Sequence, residues 1–220
     1  MTMPISPEHA RELARLIEHE AKPDLVLIGA VALGHHVPLG RHTSDVDLAV
    51  VVSLLNVATL LGSLGWTRHA TMPHRWHGPA NFLADVLPVT HALISQGSVS
   101  FDDETSMSLV GFDLAMEHAI PAPLPNTRTT VKVASLAAIV VLKIVAWTDR
   151  PSRTKDLSDL ATIFKNALDE NDERRWDEPL RSIQFDEQSA FFVGLEVGAI
   201  MRSAHRKVVN GFVRTLLDES

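Results

Sequence analysis

The hydrophobic pattern at the start of the chain predicts a helix followed by a buried strand. The apolar positions between Pro7 and about Ala21 are typical of an amphipathic helix, and Ser6 stands before them as the N-cap. Serine caps a helix by accepting a backbone N–H, and proline is tolerated in the first turn. The run "DLVLIG", which ends at Gly29, is then continuously apolar, as a short buried strand would be.

Helical and strand patterns continue to alternate as far as Val89. "AVALGHHV" has the composition of a short helix, "DVDLAVVV" is a valine-rich strand, and "LLNVATLLGSLG" suits a helix that ends at Gly65. The segment that follows predicts two short strands around a Met-Pro turn and a longer strand from about Phe82 to Val89.

Helical patterns dominate the second half of the chain. "SQGSVSFDDETSMSLVGF" is polar and predicts irregular structure, and the three prolines of "IPAPLPNT" (Ile120 to Thr127) predict a domain boundary. A short strand, "TTVKV", comes next. Helices are then expected at Ser135 to Trp147, at Thr154 to Ala167, at Glu187 to about His205, and from there to Leu217.

Together these elements predict an α+β protein. A mixed β-sheet with flanking helices would occupy residues 1–125, and a C-terminal helical domain would occupy residues 126–220.

Composition and charge limit the classes of function. The 220 residues are 45% hydrophobic and 21% charged, as is ordinary for a soluble globular protein. The chain has no cysteine, which excludes disulfides, thiolate zinc sites and cysteine nucleophiles. The longest apolar run, Val133 to Trp147, is shorter than the roughly 20 residues that span a bilayer, and no export signal is visible. We therefore expect a cytoplasmic protein with no membrane partner.

The net charge of −7 argues against broad attraction to nucleic acid, because that affinity requires a basic surface. A local basic patch is still compatible with this charge, and the candidates for it are Arg150, Arg153 and Lys155, and further on Arg202, Arg206 and Lys207. Serine hydrolase and P-loop functions have no support, because neither a Gly-x-Ser-x-Gly elbow nor a Walker A sequence occurs.

Candidate chemistry begins with two like charges in "GRHTSDVDLAV". In a strand, Asp45 and Asp47 would point the same way, with Cα atoms roughly 6.5 Å apart. Ionised carboxylates beside an apolar run require water, cations or a metal ion. Mg²⁺ or Mn²⁺ prefers oxygen ligands and would relieve the repulsion. The alternative is a polar turn before the strand, in which one aspartate caps neighbouring N–H groups.

Asp85 and Gly29 strengthen the first interpretation. Asp85 is the only charge in "NFLADVLPV", and it would add a third carboxylate if its strand pairs with "DVDLAVVV"; an edge position near Pro88 is the alternative. Gly29 ends a strand where a helix begins, so a phosphate could approach the backbone and the N–H groups there. A simple tight turn would use the same glycine.

Three segments of the chain resemble a known family. Ile28 to Val50, Ala84 to Val89 and Leu142 to Leu160 are similar, in the same order, to the motifs of the nucleotidyltransferase fold of the DNA polymerase β superfamily. The nearest likeness is to bacterial stand-alone members of the abortive-infection and toxin–antitoxin type. The resemblance implies a metal-dependent enzyme that moves a nucleoside monophosphate from a nucleoside triphosphate to a hydroxyl and releases pyrophosphate.

The resemblance also assigns roles to individual residues. Asp45, Asp47 and Asp85 would be catalytic and would hold Mg²⁺ or Mn²⁺, and Asp85 would help to deprotonate the acceptor hydroxyl. Gly29 and Ala30 would bind the nucleotide through the backbone N–H groups there. Arg41, Thr43 and Ser44 would contact phosphate or support the carboxylates. Lys143 would bind the triphosphate, and Asp156 would orient Lys143 or contact the nucleoside.

The acceptor and the partners stay open. An RNA 3′ end, a protein hydroxyl and a small molecule are chemically equivalent acceptors, and a toxin would have an antitoxin protein as its partner. Ala30 departs from the family, which usually has a second glycine or a serine there, and the spacing from Gly29 to Asp45 is slightly long. The alternative function is therefore a catalytically weak or inactive nucleotide-binding or partner-binding module of the same fold.

Structural roles are the alternatives for the remaining polar residues. Lys143 could reach water over packed methylenes, and Asp156 could favour the first turn of its helix. Asp159 is expected to form an ordinary helix-surface pair with Lys155. The histidines of "HRWH" (His74 to His77) are expected to be exposed strand or turn residues. His35 and His36 border the site, where one of them could line it; the alternative is a solvated or hydrogen-bonded histidine.

Overall fold

A computed structural model describes residues 3–41, 43–101 and 105–218. The strands in these ranges are β1 (Leu25–Ile28), β2 (Val46–Val50), β3 (Thr67–Arg68), β4 (Arg75–His77), β5 (Leu83–Pro88), β6 (Ser98–Phe101), β7 (Thr105–Ser108), β8 (Ile120–Pro123) and β9 (Thr130–Val133).

Seven of these strands form one mixed sheet, in the order β3-β4-β5-β2-β1-β9-β8. β1 is antiparallel to β2, whereas β2 and β5 run parallel, as do β1 and β9. All four residues of β1 are buried, which explains why its sequence is apolar without alternation. β6 and β7 form a separate antiparallel hairpin.

Helices cover the sheet and make up most of the chain after β9. Within the described ranges they are α1 (Pro7–Ile17), α2 (Gly29–His36), α3 (Leu54–Ser63), α4 (His91–Gln96), α5 (Phe112–Glu117), α6 (Leu136–Asp149), α7 (Thr154–Asn166), α8 (Gln188–Ile200) and α9 (Ser203–Asp218), with short 3₁₀ turns at Pro79–Asn81, Glu173–Trp176 and Leu180–Ser182. None of the described helices is long and apolar enough to cross a membrane.

α6 lies at the centre of the helical part of the chain. It packs against α2, α5, α7, α8 and α9. Ser135 caps it by accepting the backbone N–H of Ala138, and the ring of Trp147 meets Phe212 of α9 edge to face with centroids 5.2 Å apart. Because most of its residues are buried, the one charged side chain near its middle, Lys143, must have partners inside the protein.

The predicted irregular segment after β5 is wrong. It contains the end of α4 together with β6 and β7, and α5 begins at its last residue, Phe112; Asp102 to Glu104 lie outside the described residues. Val99 and Phe101 are buried and Ser100 between them is exposed, so one face of β6 joins the core despite its serines.

The predicted proline-rich boundary is β8 with the turn that follows it. β8 pairs with β9 at the edge of the sheet, where missing N–H groups are tolerated, and this explains Pro121 and Pro123. The boundary at residue 125 falls in the turn of this hairpin, and the sheet continues to Val133. A division into a sheet domain and a helical domain stays a prediction.

Two helix ends also differ from expectation. α1 ends at Ile17 and not near Ala21, because the chain turns through a left-handed residue, Lys22, before Pro23. α8 ends at Ile200 and not near His205, because Met201 has extended backbone. The other predicted strands and helices are confirmed to within a few residues.

Candidate active site

Neighbouring strands bring the three predicted aspartates to one edge of the sheet. Asp47 of β2 lies opposite Asp85 of β5 in the parallel pair, so the condition under which Asp85 adds a third carboxylate is met. Asp45 comes one residue before β2, and it shares a face with Asp47 because side chains alternate along extended backbone. All three carboxylates line the same cleft.

This cleft has a volume of about 760 Å³ and lies between the sheet, the β6–β7 hairpin and the helices α6 and α7. Most of the other residues that sequence analysis assigned to nucleotide binding also line it: Gly29, Ala30, Arg41, Thr43, Lys143 and Asp156. Ser44 is exposed and is not among its lining residues. The hairpin contributes a wall that the sequence did not indicate, made of Ser98, Thr105, Ser106, Met107 and Ser108.

Arg75 of β4 joins the first and third carboxylates. Its Nε donates to Asp85 Oδ1 at 2.7 Å, and its Nη2 donates to Asp85 Oδ2 and to Asp45 Oδ2, both at 2.8 Å. β4 places it there, because Arg75 lies opposite Asp85 in the antiparallel pair. The hydrogen bonds to Asp85 raise the pKa of the guanidinium further, so Arg75 is a permanent cation at this edge.

Asp47 is the carboxylate that Arg75 does not neutralise. Its burial, together with the charges of Asp45 and Asp85, raises its pKa to about 7. Because Asp47 remains partly exposed, the true cost of its ionisation is smaller than complete desolvation would give. The site therefore has an unmet demand for positive charge at Asp47.

Gly29 fits against Asp47 so closely that no other residue could occupy its place without moving the carboxylate. Gly29 has a φ of +66°, which disfavours side chains, and a Cβ built on it would lie 1.9 Å from Asp47 Oδ2. It is also the first residue of α2, whose N-cap residue, Ile28, provides no side-chain hydrogen bond. The N–H groups of the first turn, which includes the buried Ala30, are thus free of a side-chain cap at the cleft.

Thr43 supports the carboxylates. Its hydroxyl donates to Asp45 Oδ1 at 3.0 Å. With Arg75 on Oδ2, both oxygens of Asp45 are held, so its orientation is set before any ligand arrives.

A buried network of charges holds Lys143. Its ammonium lies 2.6 Å from Asp159 Oδ2 and 3.3 Å from Asp156 Oδ1. Arg41 donates to both oxygens of Asp159, at 3.1 and 2.8 Å, and Arg153 lies 3.1 Å from Asp156 Oδ2. The two aspartates orient Lys143 and leave one of its three N–H donors for another ligand.

The expected surface pair of Asp159 with Lys155 is wrong. Asp159 is buried, and burial alone would raise its pKa, but hydrogen bonds from Arg41 and Lys143 outweigh that effect and hold the pKa below its ordinary value. Lys155 is exposed at the cleft, with no ion-pair partner within 4 Å among the described residues.

Replacing Asp159 by asparagine should therefore lower the free energy of unfolding by about 2–4 kcal/mol, since breaking a buried ion pair leaves uncompensated charge. Urea unfolding measures this loss. Glu8→Gln is the control, because Glu8 forms an exposed pair with Arg11 at 3.6 Å and should change stability by less than about 0.5 kcal/mol. Equal small losses in both variants would contradict the buried network.

The histidine pair of "HRWH" divides between the cleft and the surface. His77 is exposed, as expected, but His74 is half-buried and lines the cleft with its Nε2 3.9 Å from Asp85 Oδ2. Burial lowers the pKa of His74, and the charge of Asp85 opposes this shift. His35 and His36 do not line this cleft.

One feature of the sequence could have identified Arg75 as the partner of Asp85. A lone aspartate inside a strand requires a partner, and an arginine stands in the strand predicted just before it. Asp159 gave a weaker signal, since its partner Arg41 lies 118 residues away.

The donor set suits a divalent cation in its chemistry. Three carboxylates converge, and Arg75 pairs with only two of them. The third, Asp47, has a raised pKa because of its burial and its like-charged neighbours, and a divalent cation would relieve both effects. The arrangement differs from a closed metal site, because Arg75 spans two of the three carboxylates. Accordingly, the described residues contain no group of three acidic or histidine side chains grouped closely enough to hold a metal ion.

Residues 11–218 match the family described as "Nucleotidyl transferase AbiEii toxin, Type IV TA system". Among solved structures, the antibiotic-resistance factor ANT(2'')-Ia is similar with a TM-score of 0.50 and 13% identity, over 97% of this chain and 100% of that chain. An antigenic nucleotidyltransferase-like protein from Paracoccidioides brasiliensis has a TM-score of 0.49 and 16% identity, over 88% of this chain and 90% of that chain. No curated protein matches.

The likeness to ANT(2'')-Ia concerns the fold, because the identity is low. It confirms the nucleotidyltransferase fold that the motifs predicted, with a mixed sheet followed by helices. The individual roles of the cleft residues stay predictions.

Proposed function

We propose a function for this chain from its family and its cleft: the chain belongs to the AbiEii family of nucleotidyltransferase toxins of type IV toxin–antitoxin systems. Its cleft carries out metal-dependent transfer of a nucleoside monophosphate. The donor is a nucleoside triphosphate, the acceptor is a hydroxyl, and pyrophosphate is released. The observation that supports this proposal best is the convergence of Asp45, Asp47 and Asp85 on a cleft that also contains the start of α2 and Lys143.

The triphosphate would meet positive charge from two parts of the cleft lining, the start of α2 and the side chains of Lys143, Lys155 and Arg150. The uncapped N–H groups of the first turn of α2 offer donors and the positive end of a helix dipole. Lys143, which lines the same cleft, offers its remaining donor, and the exposed Lys155 and Arg150 add charge. Arg41 and Asp156 act behind Lys143, since their own contacts hold the network that orients it.

Asp45, Asp47 and Asp85 would hold Mg²⁺ or Mn²⁺, which would neutralise the phosphates and polarise the reacting oxygens. The chain itself provides orientation. Thr43 holds Asp45, and Gly29 leaves space for Asp47. Transfer of this kind needs positioning and charge stabilisation more than covalent help from the protein.

In the transfer step, the acceptor oxygen forms a bond to the α-phosphorus while the bond from that phosphorus to the pyrophosphate oxygen breaks. The electron pair of the broken bond leaves with pyrophosphate. Asp85 is the proposed recipient of the hydroxyl proton, and it must give up at least one hydrogen bond from Arg75 to accept it.

The acceptor would enter beside the hydroxyl-rich wall of the β6–β7 hairpin, in the cleft that Arg150, Arg153 and Lys155 also line. An RNA 3′ end, a protein side chain and a small molecule all offer the required hydroxyl. Arg150, Arg153 and Lys155 favour an acceptor with phosphate near its reacting end, whereas the net charge of −7 disfavours a long nucleic-acid contact. A cytoplasmic location and an antitoxin partner belong to the same proposal.

Incubation with each α-labelled nucleoside triphosphate in turn tests the proposal. The purified chain, with Mn²⁺ or Mg²⁺, should transfer label to one of three acceptor pools, namely total RNA, cell protein or aminoglycosides, and chelation with EDTA should abolish the transfer. Label in one pool identifies the acceptor class. Nucleotide binding without transfer to any pool would instead support the alternative, an inactive nucleotide-binding module.

A further inference from the structure

Arg75 holds the carboxylates of the cleft in an arrangement that excludes a metal ion. Its guanidinium lies between Asp45 and Asp85 and forms three hydrogen bonds of 2.7–2.8 Å to them. Guanidinium groups bind carboxylates as a rigid fork, so this contact fixes the carboxylates as well as neutralising them. Oxygens that face Arg75 cannot all face a cation placed among the three aspartates.

The strand register places Arg75 beside Asp85. Arg75, Asp85 and Asp47 stand in register across three adjacent strands, β4, β5 and β2. The side chains of Arg75, Asp45 and Asp85 are 21%, 27% and 14% exposed, so water screens the contact only in part.

The charges divide unequally among the three carboxylates. Arg75 serves Asp45 and Asp85, while Asp47 has no hydrogen bond or ion pair with a side chain among the described residues. The single positive charge of Arg75 therefore neutralises the three negative charges only in part.

We propose that Arg75 is an internal counter-ion of the metal-free cleft that a divalent metal ion must displace. Arg75 stabilises Asp45 and Asp85 while no metal is bound, and it thereby weakens the affinity of the cleft for metal. Binding of the metal frees the guanidinium from Asp45 and Asp85. This inference rests on the proposed metal dependence.

Titration with Mn²⁺, followed by isothermal calorimetry, tests the inference without measuring activity. Arg75→Gln should bind Mn²⁺ about ten-fold more tightly than the wild-type protein, because about 1.4 kcal/mol of ion-pair energy no longer opposes binding. Arg75→Lys should fall between them, since an ammonium keeps the charge but cannot bridge two carboxylates as a fork.

Arg150→Gln is the matched control. Arg150 also lines the cleft, but it makes no ion pair with the three aspartates. Its removal changes the net charge by the same amount as Arg75→Gln and should leave the Kd for Mn²⁺ within about two-fold, as expected for an exposed charge. Equal tightening in both variants would overturn the inference, because it would reflect the overall charge of the cleft.

Asp47→Asn separates this inference from the proposed function. Binding of Mn²⁺ that depends on Asp47 but has the same or a higher Kd in Arg75→Gln overturns the role of Arg75 alone. If neither the wild-type protein nor Arg75→Gln binds Mn²⁺ in an Asp47-dependent way, both proposals fail.

If Arg75→Gln folds poorly without metal, its thermal unfolding with and without Mn²⁺ tests the inference instead of calorimetry. If three unpaired carboxylates destabilise Arg75→Gln, Mn²⁺ should raise its melting temperature more than that of the wild-type protein, and Arg75→Lys should show an intermediate rise. An equal or smaller rise in both variants would overturn the inference.

Discussion

Asp47→Asn is expected to lower the rate of nucleotide transfer at least about a thousand-fold, because loss of charge stabilisation worth several kcal/mol costs a factor of ten for every 1.36 kcal/mol. Asparagine has the shape of aspartate but lacks its charge, so the contact with Gly29 is preserved while the demand for a cation falls. Transfer of label from the triphosphate measures the loss. If transfer is the toxic activity, growth inhibition on expression should disappear with it.

Stability provides the control for this variant. The folded-state pKa of Asp47 is raised to about 7 from an ordinary value of 3.8. A raised carboxylate pKa means that the folded state holds the proton more tightly, so this group costs nothing below about pH 4 and destabilises the metal-free protein increasingly as the pH rises to about 7. In EDTA, Asp47→Asn should therefore gain stability relative to the wild-type protein between pH 4.5 and pH 8.

Urea unfolding at these two pH values checks this sign. An inactive Asp47→Asn that is at least as stable as the wild-type protein at pH 8 has lost chemistry and not structure. Transfer within a few-fold of the wild-type rate would contradict the placement of Asp47 at the reacting centre.

The three aspartates were predictable because strands impose simple rules. A period of two places Asp45 and Asp47 on one face, and a lone acid in an apolar strand predicts that Asp85 has a charged neighbour. The parallel pairing of β2 and β5 then completes the set. Local sequence was sufficient here, because each inference concerned one strand and its immediate partner.

The contacts that hold these residues were not predictable in the same way. Arg75 meets Asp85 through the register of β4 on β5, and Arg41 meets Asp159 across 118 residues of chain. Neither register nor distant packing leaves a periodic signal in the sequence. The β6–β7 hairpin escaped prediction for a related reason, since only Val99 and Phe101 mark the buried face of a serine-rich strand.

The role of Gly29 was predictable from the sequence only in part. Its place at the end of a strand predicted close approach to a bound phosphate, and the structure adds that Asp47 itself occupies the space beside it. Alanine at position 30, where the family usually has a second glycine or a serine, therefore follows the residue that makes the close contact with Asp47 and does not make that contact itself. Ala30 is buried in the first turn of α2, where its backbone N–H can serve as well as that of a glycine.

Gly29→Ala should reduce transfer about a hundred-fold or more, because a displacement of about 1 Å at a reacting centre has an effect of that size. The new Cβ would lie 1.9 Å from Asp47 Oδ2 and 2.5 Å from Cγ, so the carboxylate must move away. Gly65→Ala is the matched control for backbone strain. Gly65 has a φ of +80°, and no atom of the described residues lies within 4 Å of the position that a Cβ would take there. Its variant therefore carries similar strain, of about 1–2 kcal/mol, without displacing any of their side chains.

Gly62→Ala completes the set. Gly62 lies in α3 with open space around it, and alanine there should be neutral or stabilise the helix by up to about 1 kcal/mol. If displacement of Asp47 is the cause, only Gly29→Ala loses transfer, while Gly29→Ala and Gly65→Ala lose comparable stability. Equal loss of transfer in Gly65→Ala would assign the effect to backbone strain, and full transfer by Gly29→Ala would show that Asp47 can work from a displaced position.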